Sequence, residues 1–457
     1  MYTKVYSTLE DNLEHKDARR VALIIAAALR AADPSEAIHS HLSLVGSQLW
    51  AGEKCYDLHS FRRILVFGTG KASLLMANSL HLLLGRFITA GIVISKHSIT
   101  EQEVDLPVSF LQITCGHPVP DESSLRSAQA LFDLVRDCSE DDLVIGLISG
   151  GGSALMSLPV EGVSLDDIQV LTRHLLACGA EIGEINTLRK HLDQVKGGGL
   201  ARKVFPARML TLILSDVIGS PLDVIASGPT VADPTTYMDA FNILKKYNLF
   251  EKIPPSVLNY LTAGCQGKSP ETVKPGDPCL AKVQNVVVAS NYQAAVQAVD
   301  TAKLCGFNSL LLTTYLHGEA SQVGIMMASI LRQVALDGMP VKRPACIVAG
   351  GETTVTVKGK GLGGRNLELA LGAVRDLAGL ENVALITLAT DGEDGLTDAA
   401  GAVITGRTLE KSLDKGLYSD DFIKRNDSYH FFENVGGLLL TGPSGTNVND
   451  LVFLFAF

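Results

Sequence analysis

Short runs of consecutive apolar residues recur along the chain, each followed by a longer stretch of mixed polarity. Arg63–Phe67 (RILVF) is the first, and Gly91–Ser95, Phe110–Thr114, Leu143–Ile148, Leu210–Ser215, Val286–Ala289, Ser309–Thr313, Cys346–Ala349 and Val383–Leu388 repeat the pattern. Several are unbroken rather than alternating, as expected of parallel strands covered on both faces. Between them, Glu122–Arg136, Leu165–Ala177, Tyr292–Leu304 and Gln322–Leu336 read as helices, and Val21–Ala32, apolar almost all round and stopped by Asp33-Pro34, reads as a buried one. Alternating strands and helices predict an α/β fold with a doubly wound, mostly parallel sheet and right-handed crossovers. Two segments interrupt the rhythm. Residues 249–277, rich in Pro and Gly, read as an exposed excursion, and the polar break 337–343 before a new apolar strand puts a boundary near residue 340. The expected domains are therefore 1–340 and a smaller α/β domain, 341–457.

At roughly 150 residues per domain, 457 residues fit two or three domains. With 46% apolar and 19% charged residues, the chain has much to bury, which excludes disorder as its main state. A net charge of −10 without a basic stretch argues against a nucleic-acid partner. No apolar run approaches the ~18 residues of a membrane span. The first twenty residues lack an apolar signal core and carry Glu10, Asp11, Glu14 and Asp17, so a cytoplasmic location is expected, with a mitochondrial isoform left open. The eight cysteines form no C-x-x-C pair, which points to reduced thiols rather than zinc or a redox couple. Nothing in the pattern specifies an oligomeric state.

The chemistry gathers where predicted strands end, the edge at which open α/β sheets bind ligands. Strand 63–67 runs into Gly68-Thr69-Gly70-Lys71-Ala72-Ser73, and strand 143–148 into Ser149-Gly150-Gly151-Gly152-Ser153. Glycines let backbone amides approach an anion, and Lys71 adds a charge. Neither loop is a Walker A or a G-x-G-x-x-G motif. The structural alternative is a pair of tight turns with a solvated lysine. Asp216 is the first charge after strand 210–215, suited to accept a proton or hold Mg²⁺, or else a turn cap. Asn186, Lys190 and Asp193 share a helical face flanked by Lys196, which lines a cleft or is simply solvated. Further on, Gly350-Gly351-Glu352 follows a strand, and a glycine-rich run ends in Arg365-Asn366 at a predicted helix start; an arginine there is a good oxyanion ligand. Asp391, Glu393, Asp394 and Asp398 crowd one loop, either a partial Mg²⁺ site, a clamp on hydroxyls or a solvated acidic turn. From these residues alone, the reading is an α/β enzyme that handles a phosphorylated ligand.

Eight stretches, in order, resemble the class II glycerate kinases: 68–73 (GTGKAS), 116–124 (GHPVPDESS), 149–159 (SGGGSALMSLP), 186–201, 215–235 (SDVIGSPLDVIASGPTVADPT), 350–371, 389–402 (ATDGEDGLTDAAGA) and 445–450 (GTNVND). Asp193 stands where such proteins often carry serine. The resemblance implies a Rossmann-like N-terminal domain joined to a MOFRL-type C-terminal domain, with an interdomain cleft. It further implies ATP- and Mg²⁺-dependent phosphorylation of D-glycerate, typically to 2-phosphoglycerate. Lys71, Asp216 and Arg365 match the core catalytic trio. Gly68, Gly70, Ser149, Gly150, Gly151, Gly152 and Ser153 become candidates for ATP, Lys190, Lys196, Glu352 and Asn366 for substrate or phosphate, and Asp216, Asp391 and Glu393 for metal. The 3-phosphoglycerate product, a hydroxypyruvate reductase and a non-catalytic sugar-phosphate sensor are the competing readings; the reductase would need the dinucleotide fingerprint that is missing.

Overall fold

The computed structural model describes residues 2–96, 106–116 and 119–457. His117 and Pro118, inside the 116–124 motif, lie outside the described residues. The chain divides into a continuous unit, Ala37–Val288, and a split unit formed by residues up to Glu36 together with Ala289–Phe457. The sequence boundary near residue 340 therefore falls inside the split unit, because the strand Asn308–Leu316 and the helices on either side of it pack with the C-terminal elements.

The continuous unit opens with a three-stranded antiparallel sheet, Leu42–Val45 (β1), Gln48–Ala51 (β2) and Lys54–Asp57 (β3). Its two hairpins turn at Gly46-Ser47 and Gly52-Glu53, where both glycines have positive φ. That is short-range hairpin chemistry which the run-based reading passed over. The main sheet follows: Arg63–Thr69 (β4), Ala90–Lys96 (β5), Phe110–Cys115 (β6), Asp142–Ile148 (β7), Arg208–Leu214 (β8) and Val283–Ala289 (β9), in the order β6-β5-β4-β7-β8-β9. Parallel pairing runs from β6 through β8. Every residue of β7 is buried, which explains its unbroken apolar run. The strands wind outward from β4 in one direction and from β7 in the other, so the order reverses between those two. In doubly wound sheets the crevice at that reversal receives the ligand. Residues 249–277 are not an exposed excursion. Pro255 starts the helix Pro255–Cys265, whose Val257 and Leu261 join a core with Leu171, Leu188 and Leu244.

In the split unit the strands are Asn308–Leu316 (β10), Ala345–Gly351 (β11), Val383–Ala389 (β12), Gly401–Thr405 (β13), Leu438–Leu439 (β14) and Asp450–Ala456 (β15), ordered β10-β11-β15-β12-β13-β14. Only β10 and β11 pair in parallel; the other neighbours are antiparallel. The central β15 runs against both β11 and β12, so its first residue lies beside their last ones: Asp450 pairs with Gly351 on one side and Ala389 on the other. The helices Ala320–Asp337 and Arg365–Leu377 pack closely on this sheet. Among the described residues, no helix is long and apolar enough to cross a membrane.

Candidate active site

The two glycine loops at the β4/β7 reversal lock together. Ser149 donates its amide to Thr69 O (2.9 Å), Lys71 donates to Gly150 O (3.0 Å), and the Ser149 hydroxyl accepts from the Ala72 amide (3.0 Å). Gly70 has φ +117°, and a β-carbon there would overlap Ser149. Both facts require glycine. Ser73 is buried, its hydroxyl bonded to Gly70 O (2.8 Å). These bonds consume several of the amides expected to cradle phosphate, but they leave those of Gly150 and Gly151 without a backbone acceptor among the described residues. Gly151 is left-handed (φ +85°), the conformation from which successive amides form an anion-binding nest. Lys71 stands exposed at the rim.

Asp216 follows β8 two residues after its end and packs directly on Gly150. A β-carbon on Gly150 would overlap Oδ2 and Cγ of Asp216 and lie 3.0 Å from Oδ1. Burial holds the Asp216 carboxyl above its usual range, while a hydrogen bond from its own amide and the charge of Lys71 pull it back. Three of the expected elements, Lys71, the SGGGS loop and Asp216, are thus brought together. Beyond Asp216 the chain turns through left-handed Ser220, Ala226 and Ser227. Ser227 meets the Ser153 hydroxyl (2.7 Å) and donates to Asn186 Oδ1 (3.1 Å). Non-glycine residues in this region cost ~1–3 kcal/mol each and persist where surrounding contacts hold them.

Lys190 and Lys196 are buried side chains in the wall of a cleft that Phe132, Tyr237 and Thr272 also line, not a solvated helix face. Helix Ile182–His191 ends before Asp193, and its polar side points into the fold. The Lys190 ammonium lies 3.2 Å from both Asp223 and the fully buried Asp233. Lys196 is buried and donates to Asp193 (2.5 Å) and Met156 O (3.0 Å). Burial lowers its pKa, and Asp193 opposes the shift. Asp193 also accepts from the Ser157 hydroxyl and the Leu158 and Val195 amides. This is the work of a buried counter-ion, which fits an aspartate beside Lys196.

In the split unit Arg365 opens the helix Arg365–Leu377. Its Nε and Nη2 donate to the two oxygens of Asp450 (2.5 and 3.2 Å), and Nη1 lies 2.9 Å from Glu352. Asp394 closes the helix start, accepting from the Asn366 amide (3.0 Å) and the Leu367 amide (2.8 Å). Asn366 is itself buried against Asp394 and does not face an opening. Burial pushes the Asp394 carboxyl up to about 6, against those two amides. Burial likewise raises Asp450, with Arg365 pulling it back.

Two family models match: a domain of unknown function, DUF4147, over residues 20–262, and the MOFRL family over residues 345–450. A glycerate 2-kinase of Pyrococcus horikoshii is 40% identical over 95% of this chain and 97% of its own length. A protein of Agrobacterium vitis, provisionally named a hydroxypyruvate reductase, is 40% identical over 85% of this chain and 86% of its length. The crystal structure of glycerate kinase from Thermotoga maritima superposes with a TM-score of 0.85 at 40% identity, covering 95% of this chain and 98% of that one. The chain belongs to the glycerate kinase family.

For a glycerate kinase the metal question is specific. Among the described residues, no three His, Cys, Asp or Glu side chains come together as ligands. Asp391 and Glu393 share a loop, with the Glu393 amide 3.3 Å from Asp391 Oδ1, and Glu393 is exposed. The donor set therefore does not fit a cage made by protein alone. It fits the usual Mg²⁺ arrangement of one or two carboxylates completed by substrate phosphates and water. Two roles escaped the sequence reading, which had Asp394 only as one carboxylate of the acidic loop and Asp450 only as the end of the 445–450 motif: Asp394 caps a helix, and Asp450 is the partner of Arg365. Asp450 sits at the amino end of its strand, and only the antiparallel setting of β15 brings that end to the functional edge. The polar pair Asn449-Asp450 ahead of the apolar run 451–457 was the available signal.

Proposed function

We propose that this chain transfers the γ-phosphoryl group of ATP to a hydroxyl of D-glycerate, giving 2-phosphoglycerate. The observation that carries the reading is the meeting of Lys71, the Gly150–Gly151 amides and Asp216 at the point where the strand order reverses. In this reading the Gly150 and Gly151 amides bind phosphoryl oxygens, and Lys71 balances the charge that grows on them during transfer. Asp216 orients the attacking hydroxyl and takes its proton; a carboxyl held above its usual range by burial suits that task. Arg365 presents its remaining N–H groups to an anionic part of the reactants. Asp216 would share Mg²⁺ with the phosphates of the nucleotide, and the ion would supply neutralisation of the phosphate charge.

The provisional reductase name of the Agrobacterium relative motivates a second assay, although the turn after β4 reads G-T-G-K-A-S rather than G-x-G-x-x-G. The test is incubation with ATP, Mg²⁺ and D-glycerate, with the product read by ³¹P NMR. A 2-phosphoglycerate signal supports the proposal. A 3-phosphoglycerate signal keeps the kinase and overturns the regiochemistry. No phosphorylated product, together with NADH oxidation by hydroxypyruvate, overturns the proposal in favour of the reductase.

A further inference from the structure

The split unit holds an arginine between two carboxylates of very different character. Asp450 is 6% exposed and spends both oxygens on Nε and Nη2 of Arg365, while the side chain of Glu352 is 44% exposed and lies 2.9 Å from Nη1. The backbone beneath Asp450 is clamped as well. Asn291 donates from Nδ2 to the carbonyls of Val448 and Asp450, both at 2.9 Å, and the strand pairs on either side with Gly351 and Ala389. A guanidinium carries five N–H groups in a rigid plane. With Nε and one N–H of Nη2 fixed by Asp450, the plane has a single orientation, and the second N–H on each terminal nitrogen remains for a ligand.

We propose that Asp450 is a positioning residue for phosphoryl transfer, holding the Arg365 fork so that its outer edge is aimed at the anionic reactant before that reactant arrives. The inference rests on the reading of Arg365 in the proposed function. Because Asp450 already balances the charge of Arg365, its contribution is direction rather than attraction. A bidentate fork fixes an angle, which a point charge cannot do. Glu352, half open to solvent, is the partner that an incoming anion displaces.

The experiment is a double-mutant cycle on the full chain, reading kcat/KM for D-glycerate and the thermal melting temperature of each protein. Asp450→Asn is expected to lower kcat/KM on the order of 10- to 100-fold, the range for losing hydrogen bonds to a charged group, in a protein that melts lower than the parent, as a broken buried pair requires, but is fully folded at the assay temperature. Arg365→Lys is expected to lower it at least as far. The double variant is expected to be no worse than Arg365→Lys, because Asp450 then has no fork left to aim. Losses that multiply in the double variant overturn the positioning role and leave Asp450 merely structural. Near-normal turnover of Asp450→Asn beside a crippled Arg365→Lys overturns this inference alone. Near-normal turnover of Arg365→Lys overturns the reading of Arg365 beneath it. Should Asp450→Asn not fold, Asp450→Glu keeps the charge but shifts the fork by one methylene, and the same readout applies.

Discussion

Replacing Gly150 with alanine tests the centre of the proposed site more sharply than removing any charge. The φ of Gly150 is not in the left-handed region, so alanine meets no backbone strain and gains slightly from a stiffer unfolded chain. The added carbon instead overlaps Oδ2 and Cγ of Asp216. Carbon and oxygen rest no closer than about 3.3 Å, so the carboxylate must retreat by more than about 1 Å. Asp216 is half-buried near the start of the loop after β8, and the clash is with the far end of its side chain rather than with backbone. The cost therefore falls on geometry rather than on the fold. A displacement of that size at reacting groups is worth about 100-fold in rate. Gly150→Ala should accordingly show kcat reduced about 100-fold in a continuous ADP-release assay at saturating substrates, with an unchanged melting temperature. Gly70→Ala makes the contrast, since its β-carbon would strike the Ser149 carbonyl and its φ is +117°; that variant should lose stability together with activity. If Gly150→Ala retained kcat within threefold of the parent, Asp216 would not be the group that handles the hydroxyl.

Two further outcomes concern buried charge. Asp142 is fully buried and accepts from Arg62, Arg63 and the Ser139 amide, which together outweigh burial and hold its carboxyl well below the usual range. Asp142→Asn should cost about 3–5 kcal/mol in urea unfolding and leave KM untouched, because Asp142 opens β7 at the edge opposite the glycine loops; an altered KM with full stability would refute this. Asp394 ionises near 3.9 in an unfolded chain but at about 6 in the fold. Between those values the folded protein keeps a proton that the unfolded chain has released, so this group's contribution falls as pH rises through the window, by roughly 3 kcal/mol in all. Asp394→Asn removes the ionisation. Its stability relative to the parent should therefore improve from pH 4 to pH 7, and a constant offset in denaturant midpoints would contradict the assignment.

Much of the architecture was legible because burial on both faces leaves a plain mark. Runs such as 143–148 and 383–388, too short for buried helices and bounded by glycine or polar turns, read as strands covered on each side, and the glycine loops after β4 and β7 followed from where those runs stop. Legibility failed where the deciding contact was remote. Asn186, Lys190 and Asp193 read as one polar helical face flanked by Lys196, yet the buried carboxylate that pairs with Lys190, Asp233, lies more than forty residues away. Residues 249–277 looked exposed because proline and glycine recur through them, although the apolar spacing of Val257 and Leu261 was already that of a packed helix. Asp450 was missed because strand direction, not composition, decides which end of β15 carries function.

The split unit also has a consequence during synthesis. Helix His15–Ala32 leaves the ribosome early with an apolar stripe from Ala18 to Ala32, yet it packs against the helix Asn291–Leu304. At ~5–20 residues per second, the intervening stretch of about 250 residues takes roughly 10–50 s to emerge. The continuous unit gains its strands β1 to β8 during that interval and its last one, β9, as the interval ends, so it can close first. Meanwhile the nascent helix has only its neighbour Tyr2–Asn12 to pack on, so the early chain is a natural client for a holding chaperone, and slowing translation ahead of residue 291 would lengthen its exposure.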